Sequence, residues 1–167
     1  MEIKDYCDFD TCLDLKALGY DKGCEYTYCN HCRVSDEILE KHPGLSDSGY
    51  QDLIDKYGGP YKIDEVYKHY IEPLKRFSRN SMIDDEMGEL CSCVHLYDAQ
   101  DFLLTIMKLH ITVFSSSQES WMYRITKPHQ ALEDGAYGED FPSFKDALHN
   151  AIIECINIIQ NKNYENA

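Results

Sequence analysis

The alternation of apolar and polar residues is clearest in the last 70 residues of the chain. Apolar side chains at helical spacing predict a helix from about Tyr97 to Lys108, and strict alternation predicts strands over 109–115 and 121–126. Residues 127–141 contain Pro128, Gly135 and Gly138 and are interpreted as a loop. A serine at 143 then caps a long helix with an unbroken apolar stripe to residue 159. The pattern predicts an α+β fold, with helices packed on a small antiparallel sheet and a C-terminal helix–hairpin–helix unit over 97–161.

In the first 96 residues the hydrophobic periodicity is weaker, and Gly and Pro interrupt it more often. A helix is predicted over 8–18, capped by Asp8 and ended by Gly19, and a short strand pair is predicted around 25–28. Shorter helices are expected at 35–41 and 50–57. Apolar residues recur at helical spacing over 63–77, which predicts a helix that Pro73 either kinks or ends early, and residues 78–95 are interpreted as an acidic loop. We expect a single domain covering residues 1–167.

Charge is the first indication of function. The 167 residues carry 30 acidic and 16 basic side chains, a formal net charge of −14. Nucleic acids and anionic membranes attract basic surfaces, so direct binding to either is not expected. The charge serves either solubility alone or a protein partner with a basic surface. No Lys or Arg occurs between Arg79 and Lys108, and the interval contains six carboxylates, Asp84, Asp85, Glu86, Glu89, Asp98 and Asp101.

Eight cysteines suggest a second hypothesis. Cys29 and Cys32 have the C-x-x-C spacing of a zinc knuckle, and four further candidates could complete a site, namely Cys24, Cys91, Cys93 and His95. The spacing of the second half is not a standard one, so free thiols are the alternative. Whether metal is bound is left open, and no cofactor is assigned.

Catalytic motifs are absent from the sequence. It contains no phosphate-binding glycine loop, no nucleophile elbow and no H-E-x-x-H pair. We therefore expect a protein that is not an enzyme. Nine of the 13 tyrosines lie in the first 70 residues. Tyrosine is enriched at recognition surfaces, and Tyr26, Tyr28, Tyr50 and Tyr61 are predicted to anchor a partner, beside the six carboxylates.

No apolar run reaches the roughly 18 residues that a membrane span requires, and the first residues lack the apolar core of a signal peptide. A cytoplasmic protein without membrane contacts is the resulting expectation.

Two stretches resemble a known group of sequences. The first is Asp8-Phe9-Asp10-Thr11 through Leu15-Lys16-Ala17-Leu18-Gly19-Tyr20. The second contains Tyr97-Asp98-Ala99-Gln100-Asp101-Phe102-Leu103, Leu109-His110-Ile111, Trp121 and Phe144-Lys145-Asp146-Ala147-Leu148. Both are similar to small proteins of Bacteroidetes phages and integrated mobile elements. The resemblance covers roughly half of the chain and suggests an origin, with no specific activity attached.

The resemblance implies a class of function. Small acidic accessory proteins of mobile elements often bind a host protein stoichiometrically, and one large class blocks nucleic-acid-targeting defence, including CRISPR effectors. The leading hypothesis is therefore a non-enzymatic binding protein that inhibits such an enzyme. The alternative is a small structural module stabilised by zinc.

Overall fold

A computed structural model describes residues 5–45, 50–57, 61–83, 88–117, 119–128 and 135–165. The side chains of residue 50 and of residues 162–165 lie outside this description. The elements in chain order are α1 (Phe9–Ala17), β1 (Tyr26–Val34), α2 (Asp36–Lys41), α3 (Tyr50–Tyr57), α4 (Ile63–Val66), β2 (Tyr67–Leu74), a 3-10 turn (Asn80–Met82), β3 (Glu89–Cys93), α5 (Leu96–Thr105), β4 (His110–Ser115), β5 (Trp121–Thr126), β6 (Ala136–Phe141) and α6 (Phe144–Glu165).

The strands form two antiparallel sheets of three strands each. The N-terminal sheet has the order β2-β1-β3, and the C-terminal sheet has the order β4-β5-β6. Helices and small antiparallel sheets in one chain confirm the predicted α+β class.

Local signals placed several helix ends correctly. The Asp8 carboxylate accepts a hydrogen bond from the Thr11 amide at 2.8 Å and begins α1, and Gly19 follows the helix with a φ of +90°. At the start of α6, the Asp146 amide donates to Ser143 Oγ at 3.1 Å, and the Ser143 hydroxyl donates back to the Asp146 carboxylate at 2.6 Å. These side-chain bonds satisfy amides that have no partner within the helix.

The main core lies between α6 and its neighbours. One side of α6 packs against all three strands of the C-terminal sheet and against α5 and α1. Leu148 and Ile152 on this side have no exposed surface, and neither does Leu15 of α1. Burying a side chain of this size contributes about 1.5–3 kcal/mol.

A second, smaller apolar cluster lies around the end of β1. It consists of Val34, Ile38, Leu45, Leu53 and Val66, with Tyr57, Tyr61 and Tyr67 packed at its margin. Strand β1 connects the two cores, because Tyr28 belongs to the main core and Val34 to the smaller one.

Three sequence predictions were wrong about the type of element. The helix expected over 63–77 is the single turn α4 followed by strand β2, which pairs with β1 from Tyr67 to Leu74. The acidic loop expected over 78–95 contains strand β3, and the loop expected over 127–141 contains strand β6. The segment between α5 and α6 is therefore a meander of three strands, whereas the prediction was a hairpin.

Candidate partner-binding surface

The predicted carboxylates are distributed over different environments. Asp84, Asp85 and Glu86 lie outside the described residues. Glu89 is only 5% exposed, and its carboxylate pairs with Arg76 Nε at 2.7 Å. The prediction that Glu89 contacts a partner is wrong, because β3 places its side chain in the interior.

The last two carboxylates lie on α5. The Asp98 carboxylate is half-buried and forms an ion pair with Lys22. Asp101 is exposed, and no ion pair to it occurs among the residues that the structure describes. Asp101 is thus the predicted carboxylate best placed to meet a partner.

The predicted tyrosine anchors do not share one surface. Tyr28 is 6% exposed, its hydroxyl donates to the Cys7 carbonyl at 2.9 Å, and its predicted role as an anchor is therefore wrong. Tyr26 is half-buried, with its ring edge-to-face against Tyr6. Tyr61 is half-buried and its hydroxyl lies 2.7 Å from His42 Nε2 in the smaller cluster. Tyr50 begins α3, and its side chain lies outside the description.

A different surface combines aromatic, apolar and acidic side chains. On α5, Tyr97 is 56% exposed and Leu104 is 44% exposed, and Asp101 lies between them at spacings of four and three residues. Residues at these spacings are neighbours on one side of a helix. The α5 groove, as we call it, has a volume of about 180 Å³ and lies between this side of α5 and strand β4. Its lining is Tyr97, Gln100, Asp101, Leu104, His110 and Ile111.

Packing on the opposite side of α5 holds the groove in place. Leu96, Ala99 and Leu103 are buried there, so the helix cannot rotate without exposing them. His95 caps the helix, because its Nδ1 accepts from the Tyr97 amide at 3.3 Å. The Tyr97 ring stacks on the His95 ring, with their centroids 5.4 Å apart, and this contact restricts the tyrosine side chain.

The apolar stripe of α5 predicts the helix, but the solvent-exposed side of the helix was not predicted to be a binding surface. The signal that could have found it is the i, i+4, i+7 series of Tyr97, Asp101 and Leu104. Large apolar side chains on the solvent side of an amphipathic helix depart from the polar pattern expected there. Ile106, which continues the apolar spacing of residues 97–108, follows the helix and is 60% exposed.

The cysteines do not form the predicted zinc knuckle. Side chains of a strand alternate between its faces, so Cys29 and Cys32, three residues apart on β1, point to opposite sides. Cys29 is 6% exposed, whereas Cys32 is exposed. Among the described residues, no group of three or more His, Cys, Asp and Glu side chains is arranged to hold a metal ion.

Three of the buried thiols are also poor nucleophiles. Burial raises the pKa of Cys24 to about 11 and the pKa of Cys93 to about 12. Burial likewise raises the pKa of Cys155 to about 12, with a smaller contribution from Glu154. A thiol reacts as its thiolate, and thiols with these pKa values are protonated at neutral pH.

A second polar group lies on the N-terminal sheet. Glu72 of β2 accepts from His31 Nε2 at 2.8 Å and lies 3.8 Å from the Arg33 guanidinium, which stacks over the Tyr70 ring at 4.1 Å. His31 Nδ1 and Arg33 Nε are buried without a hydrogen-bond partner among the described residues. Because the Glu72 carboxylate is already bonded to His31, it is less available to a partner than the Asp101 carboxylate of the α5 groove.

Comparison of the chain with protein-family models, with curated proteins and with solved structures found no match. Within the described residues, no helix combines the length and the apolar character needed to cross a bilayer.

Proposed function

We propose that the protein is a non-enzymatic binding protein that contacts a protein with a basic surface through the α5 groove. One observation carries the proposal: an exposed aromatic ring, an exposed leucine and a carboxylate that has no ion pair among the described residues lie together on the solvent side of α5. Large aromatic side chains supply most of the binding energy in protein interfaces, and neighbouring charges orient the partner.

The charge of the protein supports a basic partner. The net charge is −14, and Asp101 adds an exposed negative charge at the groove itself. Asp98, one turn from the groove, is already neutralised by Lys22. A positively charged surface would gain both a long-range attraction to the molecule and a local contact at Asp101.

The specific form that we propose is inhibition of a host nucleic-acid-targeting defence enzyme, such as a CRISPR effector, by a cytoplasmic protein of phage or mobile-element origin. The supporting features are the sequence resemblance and the acidic charge. Enzymes of this class hold nucleic acid in channels lined by Lys and Arg, which contact phosphates. An acidic protein without affinity for nucleic acid competes for such a channel directly.

The test is a panel of purified, guide-loaded CRISPR effectors, with binding followed by surface kinetics and DNA cleavage assayed in parallel. We expect one effector to be inhibited at a 1:1 ratio, without turnover. For the inhibited effector, Tyr97→Ala removes the aromatic anchor and should reduce the binding free energy by about 2 kcal/mol, or roughly 30-fold in Kd. Most of this loss of affinity should come from a faster off-rate.

Tyr137→Ala is the matched control, because Tyr137 is 64% exposed on β6, at the opposite edge of the C-terminal sheet from β4. Binding of this variant should equal that of the unchanged protein. An absence of binding across the panel would exclude the proposed inhibition of these enzymes. Equal losses of affinity for Tyr97→Ala and Tyr137→Ala would exclude the α5 groove as the contact.

A further inference from the structure

We infer that the α5 groove is a receptor for one arginine side chain of the partner. The inference rests on the proposed function and specifies which group of the partner enters the groove. At about 180 Å³, the groove is smaller than the 300–1,000 Å³ of ordinary small-molecule sites. A groove of this size is suited to a single side chain of a partner.

The first observation is the fixed orientation of Gln100. Its side-chain Nε2 donates to the carbonyl of Ile111 on β4 at 3.1 Å. A carbonyl oxygen only accepts, so the amide nitrogen must face it and the amide oxygen must face away. Gln100 thereby presents Oε1, an acceptor, beside a groove that it lines.

The second observation is the charge of Asp101, the next residue. An ionised carboxylate accepts two parallel hydrogen bonds from a guanidinium, and this pairing is among the strongest in proteins. Asp101 and Gln100 Oε1 together offer three acceptor oxygens. The guanidinium group carries five N–H donors in one plane, whereas the ammonium group of lysine is a compact point charge.

The third observation is Tyr97, which is 56% exposed and lies one turn before Asp101 on the same side of α5. A guanidinium stacks flat on an aromatic ring while the N–H groups along its edge donate two parallel hydrogen bonds, a geometry that the compact ammonium group of lysine does not offer. Leu104, one turn after Asp101, provides an apolar contact for the aliphatic stem of the arginine. The groove thus matches each part of an arginine side chain.

The experiment is an NMR titration of the isotope-labelled full chain with N-acetyl-arginine amide. We expect saturable shifts at the Gln100 side-chain amide and at the backbone amides of Tyr97 and Asp101. N-acetyl-lysine amide should bind about 10-fold more weakly or not measurably. N-acetyl-citrulline amide, which keeps the shape of arginine and lacks its charge, should give no saturable shift.

Two variants complete the experiment. Asp101→Asn should weaken arginine binding about 10-fold, and the same spectra report whether the variant is folded. Glu139→Gln, which removes one charge from an exposed position on β6, should leave binding unchanged.

Equal binding of arginine, lysine and citrulline would overturn the inference, and so would an Asp101→Asn variant that binds arginine like the unchanged protein. The outcome is independent of the effector panel. An effector that binds while arginine gives no shift would refute the receptor and leave the proposed function standing. Arginine-specific shifts without a bound effector would refute only the choice of partner.

Discussion

At the scale of single residues, Glu89 is a buried carboxylate with a stabilising role. It is 5% exposed and pairs with Arg76, whose side chain is 48% exposed. Removing one partner of a charged hydrogen bond typically costs about 1.5–3 kcal/mol. Because Arg76 can regain water, we expect Glu89→Ala to lower the free energy of unfolding by an amount near the lower end of that range, as measured by urea denaturation.

The control for this prediction is Glu139→Ala, a change of the same residue type at an exposed site on β6. Exposed substitutions of this kind change stability by less than about 0.5 kcal/mol. Equal effects of the two substitutions would show that Glu89 is solvated and would contradict the pairing described above.

The burial of Glu89 and Tyr28 could not be predicted from the sequence. The partner of Glu89 is Arg76, which lies outside the interval without basic residues that defined the acidic segment. An irregularity in the pairing of β1 with β3 sets Cys29 opposite Glu89 and Tyr28 opposite Cys91. No local sequence pattern predicts a bulge of this kind, because the position of the bulge depends on which strands pair.

At the scale of elements, the error over residues 63–77 has a clear cause. Apolar residues there fit helical spacing, but Tyr67, Tyr70 and Ile71 belong to types that favour strands. β2 lies at the edge of the N-terminal sheet, where Pro73 is tolerated because its missing amide costs least there. Pairing with β1 stabilises the strand, whereas the apolar spacing alone predicted a helix.

Strand β6 was not predicted, in part because glycine is typical of loops and Gly138 lies in the middle of the strand. In the structure, a Cβ atom at this position would lie 2.4 Å from Tyr123 Cε1 on the neighbouring strand β5. The tyrosine ring occupies the space above the glycine, and this arrangement compensates for the missing side chain.

We therefore expect Gly138→Ala to destabilise the protein by roughly 1–3 kcal/mol, because it overpacks this contact. Thermal unfolding of Gly138→Ala, of Tyr123→Leu and of the double variant that combines them tests the contact itself. The double variant should lose less stability than the sum of the two single variants. Strict additivity would mean that the ring and the glycine are not coupled.

At the scale of the whole molecule, the sequence predicted the α+β class and the helix–strand–strand order from 97 to 126, because those segments are long and strongly periodic. The candidate surface was predicted only at Asp101. Tyr97 and Leu104 contribute through exposure, which depends on how α5 packs, and packing is not visible in a list of residues.

The net charge of −14 leads to a prediction about rates. Asp84, Asp85 and Glu86 stay candidates for steering a basic partner, although they lie outside the described residues. Replacing them with Asn, Asn and Gln should lower the on-rate for the bound effector and flatten its dependence on salt, with little change in the off-rate. Surface attraction is screened over about 8 Å at physiological salt, so kinetics at two salt concentrations measure the effect.

The matched control also changes three exposed carboxylates elsewhere, here Asp10 on α1, Glu40 on α2 and Glu139 on β6, to Asn, Gln and Gln. We expect the control variant to lower the on-rate less than the triple variant does, by an amount that falls with the distance of the changed residues from α5. If the triple variant keeps its on-rate, the charge of that segment serves solubility and not association.

The position of α6 in the main core has a consequence for synthesis of the chain on the ribosome. The faces of α1, α5 and the C-terminal sheet that pack against α6 are translated before it, and Gln160 of α6 contacts Asp14 of α1 at 3.2 Å. Among the described residues, the smaller cluster draws on residues 34–67 and can close early. The main core cannot, because loop closure over such a sequence separation waits for its last helix. The nascent chain therefore carries an unburied apolar surface until α6 leaves the exit tunnel, which makes this intermediate a substrate for chaperones.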